Sequence, residues 1–192
     1  MEHSTRIKAS TRTQPTVKSG LPDSDGHALP NITAEEFRSV IGYFSSGVTV
    51  VTTAAEGKHY GTTTSAVCSV SLEPPTLLIC MNKASETGRA VARAGHFAVN
   101  ILAQDQAAIA RHFARKGDDK FADFAVATGK RGAPLLRDVL STIQCRVVQQ
   151  GSAGTHYVFI AEVETAWASA GSPLAYYRGQ FGRLAVDAAG CA

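Results

Sequence analysis

Long apolar runs are missing from this 192-residue chain, and so are most signatures that would place it at once. Lys8, Arg12 and Lys18 near the N-terminus are not followed by a hydrophobic stretch, so neither a signal peptide nor a membrane span is expected. A reducing cytoplasm is the expected compartment. The four cysteines (Cys68, Cys80, Cys145, Cys191) form no Cys-x-x-Cys pair. The six histidines (His3, His27, His59, His96, His112, His156) never fall at metal-ligand spacing. No metal site is therefore expected. There is no Gly-x-Gly-x-x-Gly fingerprint, Walker loop, His-Glu-x-x-His or Gly-x-Ser-x-Gly elbow, which removes Rossmann, P-loop, zincin and α/β-hydrolase readings. Charge is sparse too. The formal net charge is only +3, carried by scattered residues such as Arg89, Arg93, Arg111, Arg115, Lys116, Lys120, Lys130 and Arg131. That argues against nucleic acid as a partner and allows a small anionic ligand.

What the chain does have is hydroxyls on a β-prone run. In Gly61-Thr-Thr-Thr-Ser-Ala-Val-Cys-Ser-Val-Ser-Leu-Glu-Pro-Pro75, the side chains of Thr62, Thr63, Thr64, Ser65 and Ser69 can all donate hydrogen bonds. Hydroxyls and free N–H groups donate without ionising, which suits a polyhydroxylated, phosphorylated ligand. Pro74-Pro75 stops the run.

Residues 1–30 carry almost no large hydrophobes and read as a flexible arm; 187–192 read as a tail, leaving a folded domain over 31–186. Thr33-Ala-Glu-Glu36 is a capping box. Phe37, Val40, Ile41 and Phe44 then follow at helical spacing, predicting a helix over 33–44 with one apolar stripe on the core. Strands are expected at Val48–Ala54, across the hydroxyl run after a Glu56-Gly57 turn, and at Thr76–Met81, Phe97–Leu102, Ser141–Gln149 and His156–Trp167. The last two are expected to be joined at Gly151–Gly154. Helices are expected at Ser85–Ala94 and Asp105–Arg115, and a surface loop over 116–133. Strands outnumber helices without strict alternation, which favours a mainly β fold, a closed β-barrel with peripheral helices; a sandwich stays open on strand count alone.

From Phe37 to about Leu184 the sequence resembles the short flavin reductases, which have an FMN-binding split-barrel fold. The resemblance runs through Gly42-Tyr-Phe-Ser-Ser-Gly-Val-Thr-Val-Val-Thr-Thr53, Ser69-Val-Ser-Leu-Glu-Pro-Pro75, Lys83-Ala-Ser-Glu-Thr87, His96-Phe-Ala-Val-Asn-Ile-Leu102, Arg111-His-Phe113, Gly154-Thr-His156 and Tyr177-Arg-Gly179. It implies an NAD(P)H-dependent reductase that passes hydride from NADH or NADPH to FMN or FAD. Reduced flavin would then leave for a separate flavin-dependent monooxygenase, and the reductase would be a homodimer.

By that resemblance the flavin contacts are Ser45, Ser46, Gly47, Val48 and Thr49, the run Gly61, Thr62, Thr63, Thr64, Ser65, Ala66, Val67, Cys68 and Ser69, and Asn100, Ile101 and Leu102. Ser85 and Thr87 would reach the phosphate beside the amides that open helix 85–94; on residue grounds alone they read as helix caps. Lys83 and Phe113 would also touch cofactor, and His156 and Arg178 the nicotinamide nucleotide. Asn100 could equally end a strand, and Arg178 could meet a surface carboxylate. No catalytic side chain is expected, because hydride transfer to a flavin needs positioning above all. The chain departs from the family at Ser65-Ala66-Val67 and at Thr155, which stands where an Asp is common. These departures leave FMN against FAD, and NADH against NADPH, open. A flavin-binding carrier or sensor, a plain β-barrel interaction domain and a pyridoxamine-phosphate-oxidase-like enzyme are the alternatives.

Overall fold

A computed structural model describes residues 32–117 and 119–185. The expected arm 1–30, the tail 187–192 and Cys191 lie outside the described residues. The described residues fall into two compact units, divided between Phe44 and Ser45.

The first unit carries α1 (Ala34–Ile41), capped as expected. Glu36 N–H donates to Thr33 Oγ1, and Thr33 N–H donates to the Glu36 carboxylate. The expected burial of its stripe is not found. Phe37, Val40 and Ile41 are 55 %, 45 % and 49 % exposed, and no α1 residue is buried. Capping and periodicity set the helix but do not supply the surface that would cover it.

The second unit is built on a seven-stranded antiparallel sheet. Its members are β2 (Thr49–Ala55), β3 (Lys58–Thr64), β4 (Val67–Leu72), β5 (Pro75–Asn82), β6 (His96–Ile101), β9 (Ser141–Ala153) and β10 (His156–Ala168), in the order β3-β2-β6-β9-β10-β5-β4. β3 and β4 are thus the two outer strands, yet only Ser65 and Ala66 separate them. Seven strands laid flat would set these edges about 29 Å apart. Three Cα steps, from Thr64 to Val67, cover at most about 11 Å. The sheet must therefore roll until its edges approach. The Cys80 N–H to Ala66 C=O bond (3.0 Å) ties the link to β5. The rolled sheet is the expected barrel, and the hydroxyl run is broken across its seam. The expectation of one strand through the run is corrected: Ser65-Ala66 is a transfer between strands, which β-propensity alone does not reveal.

β2 is buried on both faces, because successive side chains point to opposite sides. Val51 packs inside with Ile79, Phe97, Val99, Phe159 and Ala161. Val48 and Val50 pack outside with Leu102, Ala110, Phe113, Leu136 and Leu174. The outer layer includes α3 (Ala107–Ala114). Helix α2 (Glu86–Ala94) follows β5, with Ser85 as its N-cap and Gly95 as a left-handed C-cap at φ 68°. A small sheet pairs β1 (Ser46–Gly47) with β11 (Leu174–Tyr177), and β11 with β12 (Gln180–Arg183).

Two further corrections concern loops. The surface loop expected over 116–133 contains β7 (Val126–Thr128), which pairs with β8 (Pro134–Leu136). Ala133 and Leu135 of this hairpin pack on Ala98. The β9–β10 turn lies at Gly154-Thr155 rather than Gly151–Gly154, with Gly154 at φ 52° as a two-residue hairpin turn demands.

Cys145 is buried, and desolvation, helped by the Glu164 charge, pushes its thiol up to about 12; Cys68 is exposed. Since the thiolate is the reactive form, iodoacetamide at neutral pH is expected to label Cys68 in the native protein and to spare Cys145 until denaturant is added. Peptide mass spectrometry reads the outcome, and labelling of both at similar native rates would contradict this burial.

Arg131 grips Glu164 with two hydrogen bonds of 2.6 and 2.7 Å. The Arg131 hydrogen bond chiefly holds the Glu164 carboxyl below its ordinary value. A carboxyl depressed by folding stabilises the protein above its unfolded pKa, and that stability is lost as pH falls through the folded value. Glu164→Gln is therefore expected to lower the urea midpoint at neutral pH and to match the parent at acid pH. Curves that stay parallel down to acid pH would contradict the pairing.

Candidate functional site

A cleft of about 600 Å³ opens where β3, the start of α2 and the segment after α3 meet. Its lining includes Lys58, His59, Tyr60, Gly61 and Thr62 from β3, and Asn82, Ala84, Ser85, Glu86, Thr87 and Arg89 around the start of α2. Arg115, Lys116, Asp119, Lys120 and Phe121 close the third side.

Local sequence builds each wall. The Asn82 Oδ1 accepts from the Ala84 N–H (2.8 Å), a side-chain turn that swings the chain from β5 into α2. Arg89, four residues beyond Ser85 and on the same helix face, donates to the carbonyls of Lys83 (3.2 Å) and Ala84 (3.0 Å). These bonds hold the first turn of α2 at the cleft, where its backbone N–H groups and positive dipole end favour an anion. Gly88 lets α2 sit close to β5, since a Cβ there would lie 2.8 Å from the Asn82 carbonyl oxygen.

On the opposite wall Lys120 donates to the carbonyls of Gly61 (3.2 Å) and Phe113 (3.0 Å). An ammonium has three donors, so one remains beyond these two. Desolvation lowers the Lys120 pKa from its ordinary value, and the Glu86 carboxylate opposes that shift. Lys58 lies 5.6 Å over the Tyr60 ring, and His59 meets Phe121 edge-on at 5.6 Å. Cationic Lys58, Arg89, Arg115, Lys116 and Lys120 outnumber the acidic Glu86 and Asp119. Hydroxyls, amides, cations and aromatic faces together suit a phosphorylated aromatic nucleotide.

Of the contacts expected from sequence, Gly61, Thr62, Ser85 and Thr87 line this cleft. Others serve the framework. Thr63 Oγ1 donates to Ala110 O (2.6 Å), Thr49 Oγ1 to Thr64 O (2.8 Å), and Ala66 N–H to Thr64 Oγ1 (3.1 Å). Gly61 is required by packing, because a Cβ there would meet Phe113 Cε1 at 2.8 Å and Phe121 Cζ at 2.9 Å. Phe113 is fully buried, with ring centroids 5.2 Å from Phe121 and 5.1 Å from Phe124, and so backs the wall. Asn100 is fully buried as well. Its Nδ2 donates to Val50 O and Thr52 Oγ1, and its Oδ1 accepts from Leu136 N–H.

The remaining expected residues fall in four places. Ser45, Ser46, Gly47 and Val48 run beside β11, and Val48 N–H donates to Leu174 O; Leu102 N–H returns to Val48 O, and Ile101 pairs with Thr49. Arg178 occupies the β11–β12 turn with Gly179, both at positive φ. Ser65, Ala66, Val67, Cys68 and Ser69 follow the barrel seam along edge strand β4. Lys83 donates to Gly154 O at the tip of the β9–β10 hairpin, and His156 opens β10 opposite Asn82.

Residues 41–185 match the family described as flavin reductase like domain. The chain belongs to the flavin reductase-like family. It is 48 % identical over 158 residues to the reductase component of 4-nitrophenol 4-monooxygenase/4-nitrocatechol 2-monooxygenase of Rhodococcus opacus, covering 82 % of this chain and 85 % of that one. It is 34 % identical over 167 residues to an NADH-dependent flavin reductase of Rhodococcus sp, covering 85 % and 94 %. Among solved structures, the Streptomyces globisporus C-1027 NADH:FAD oxidoreductase in complex with NAD and FAD fragments superposes with a TM-score of 0.77 at 34 % identity, covering 81 % of this chain and 94 % of that one. The rolled sheet with its peripheral helices is the split barrel of this flavin reductase-like family.

The cleft residues missed from sequence include Lys58, Tyr60, Arg89, Lys120 and Phe121. Only Arg89 had a local signal, the i+4 spacing from Ser85. Lys120 and Phe121 lie in a segment whose polar composition reads as loop, and only the fold returns them to β3.

Proposed function

We propose that this flavin reductase-like protein oxidises NADH, reduces FAD and releases the reduced flavin to a separate monooxygenase. The observation that carries the proposal is the cleft, where the α2 N-terminus and a cationic, aromatic wall face one space. The donor set fits a flavin nucleotide. Ser85, Thr87 and the amides opening α2 would hold a phosphate, with Lys120 and Arg89 nearby for charge. Lys58, Tyr60, Arg115 and Phe121 line the same cleft, and their cations and aromatic rings have the chemistry for a second phosphate and an aromatic base. That lining favours FAD over FMN. NADH is favoured as donor because a relative of high coverage is named NADH-dependent.

When bound, the flavin supplies the hydride acceptor and the nicotinamide nucleotide supplies the donor. The protein binds both, orients them and excludes water, contributions that need no acid–base pair. Ser45–Thr49, the β4 residues and Asn100–Leu102 would frame the site through backbone groups and packing, and His156 and Arg178 would meet the nicotinamide nucleotide. A second copy of the chain is the proposed cover for exposed Phe37, Val40 and Ile41 and for Val70 and Leu72, giving a homodimer. Among the described residues no helix is long and apolar enough to cross a membrane. A nicotinamide donor and free thiols fit the reducing cytoplasm expected from sequence.

Steady-state NADH oxidation tests this reading. The rate is expected to depend on added flavin, to saturate in both substrates, and to give a higher kcat/KM for FAD than FMN and for NADH than NADPH. An NADH oxidation rate that ignores added flavin would overturn it.

A further inference from the structure

The Lys83 side chain reaches the tip of the β9–β10 hairpin. Its Nζ donates to the Gly154 carbonyl at 2.9 Å, and its backbone N–H donates to the Thr155 carbonyl at 2.9 Å. Both acceptors form the two-residue turn at the tip of the β9–β10 hairpin. Residues 149–156 of that hairpin are exposed, so the tip has little packing of its own to fix it. His156 follows the turn directly and pairs with Asn82, the residue before Lys83. Thr155 Oγ1 lies 3.0 Å from His156 Nδ1, so whatever holds Thr155 also orients the imidazole. On its other side the Lys83 carbonyl is held by Arg89 of α2. One turn thus joins the hairpin tip to the start of α2.

We infer that Lys83 is a positioning residue, which clamps the hairpin tip so that His156 meets the nicotinamide nucleotide, and is not a flavin ligand. The inference rests on the reductase reading above. It separates two properties that a cofactor ligand would move together, namely the affinity for NADH and the affinity for flavin.

The test compares the parent with Lys83→Met, His156→Ala and the double variant, with thermal melting to confirm that each folds. Lys83→Met keeps the aliphatic stem and removes the donors. It is expected to raise KM for NADH about tenfold, the effect of losing one hydrogen bond from a charged donor, with the Kd for FAD unchanged. In the His156→Ala background the same change is expected to add little, because Lys83 acts through the hairpin. An unchanged KM for NADH, a raised Kd for FAD, or additive effects in the double variant would each overturn the inference. A parent enzyme that oxidises no NADH with any flavin would overturn the reductase reading as well.

Discussion

Phe113→Ala is expected to lower stability by about 3–5 kcal/mol, the range for deleting a fully buried aromatic ring. Phe113 has no exposed surface, sits among His112, Phe121 and Phe124, and packs with Val48, Val50, Leu136 and Leu174. Little around it can collapse to fill the space, because β2 behind it is held on both sides by β3 and β6. For a domain of this size the loss corresponds to a melting temperature lower by roughly 10 °C. The ring also backs Gly61 and Phe121, two elements of the cleft wall. Flavin affinity is therefore expected to fall in the fraction that remains folded. Calorimetry and flavin fluorescence titration read the two effects. A melting temperature within a degree or two of the parent would show that the aromatic cluster does not hold this wall.

Gly88→Val should have the second largest effect, by the opposite route. A Cβ at position 88 would lie 2.8 Å from the Asn82 carbonyl oxygen and 3.3 Å from the Met81 Cβ. The first obstacle is backbone and cannot swing aside, so α2 must move off the end of β5. Overpacking of this kind costs about 1–3 kcal/mol. The displaced part is the first turn of α2, the proposed phosphate site, so the Kd for FAD is expected to rise at least about tenfold, the loss of one or more charge-assisted hydrogen bonds. Gly95→Ala is the matched control. It lies at the other end of α2 with φ 68° and nothing within 4 Å of its Cβ position. It should cost stability through backbone strain and leave flavin affinity alone. Equal effects of the two variants on FAD binding would remove α2 from the phosphate site.

Many of the elements were legible because β-branched runs, the capping box at Thr33 and the Pro74-Pro75 stop all act locally. The break at Ser65-Ala66 was not. Both strands flanking it have high β-propensity, and only the sheet order shows that the chain crosses from one edge to the other there. The hydroxyl run was legible as polar but not as divided labour. Thr62 faces the cleft, while the hydroxyls of Thr63 and Thr64 are engaged with backbone of α3 and of the seam. Asn100 had the right chemistry for a ligand contact, but three tertiary partners engage its side chain, and no sequence signal announces them. The basic residues at 115–120 read only as scattered charge that allows an anionic ligand, because their place at the cleft depends on where α3 ends relative to β3.

The central claim is that reduced flavin is made and released. Anaerobic stopped-flow mixing of the protein with NADH and a large excess of FAD tests it most directly, followed at the visible absorption band of the flavin. The account predicts that bleaching continues until FAD or NADH is exhausted, many equivalents per protein chain. Bleaching that stops at one equivalent per chain would contradict it, and would identify a protein that holds its flavin.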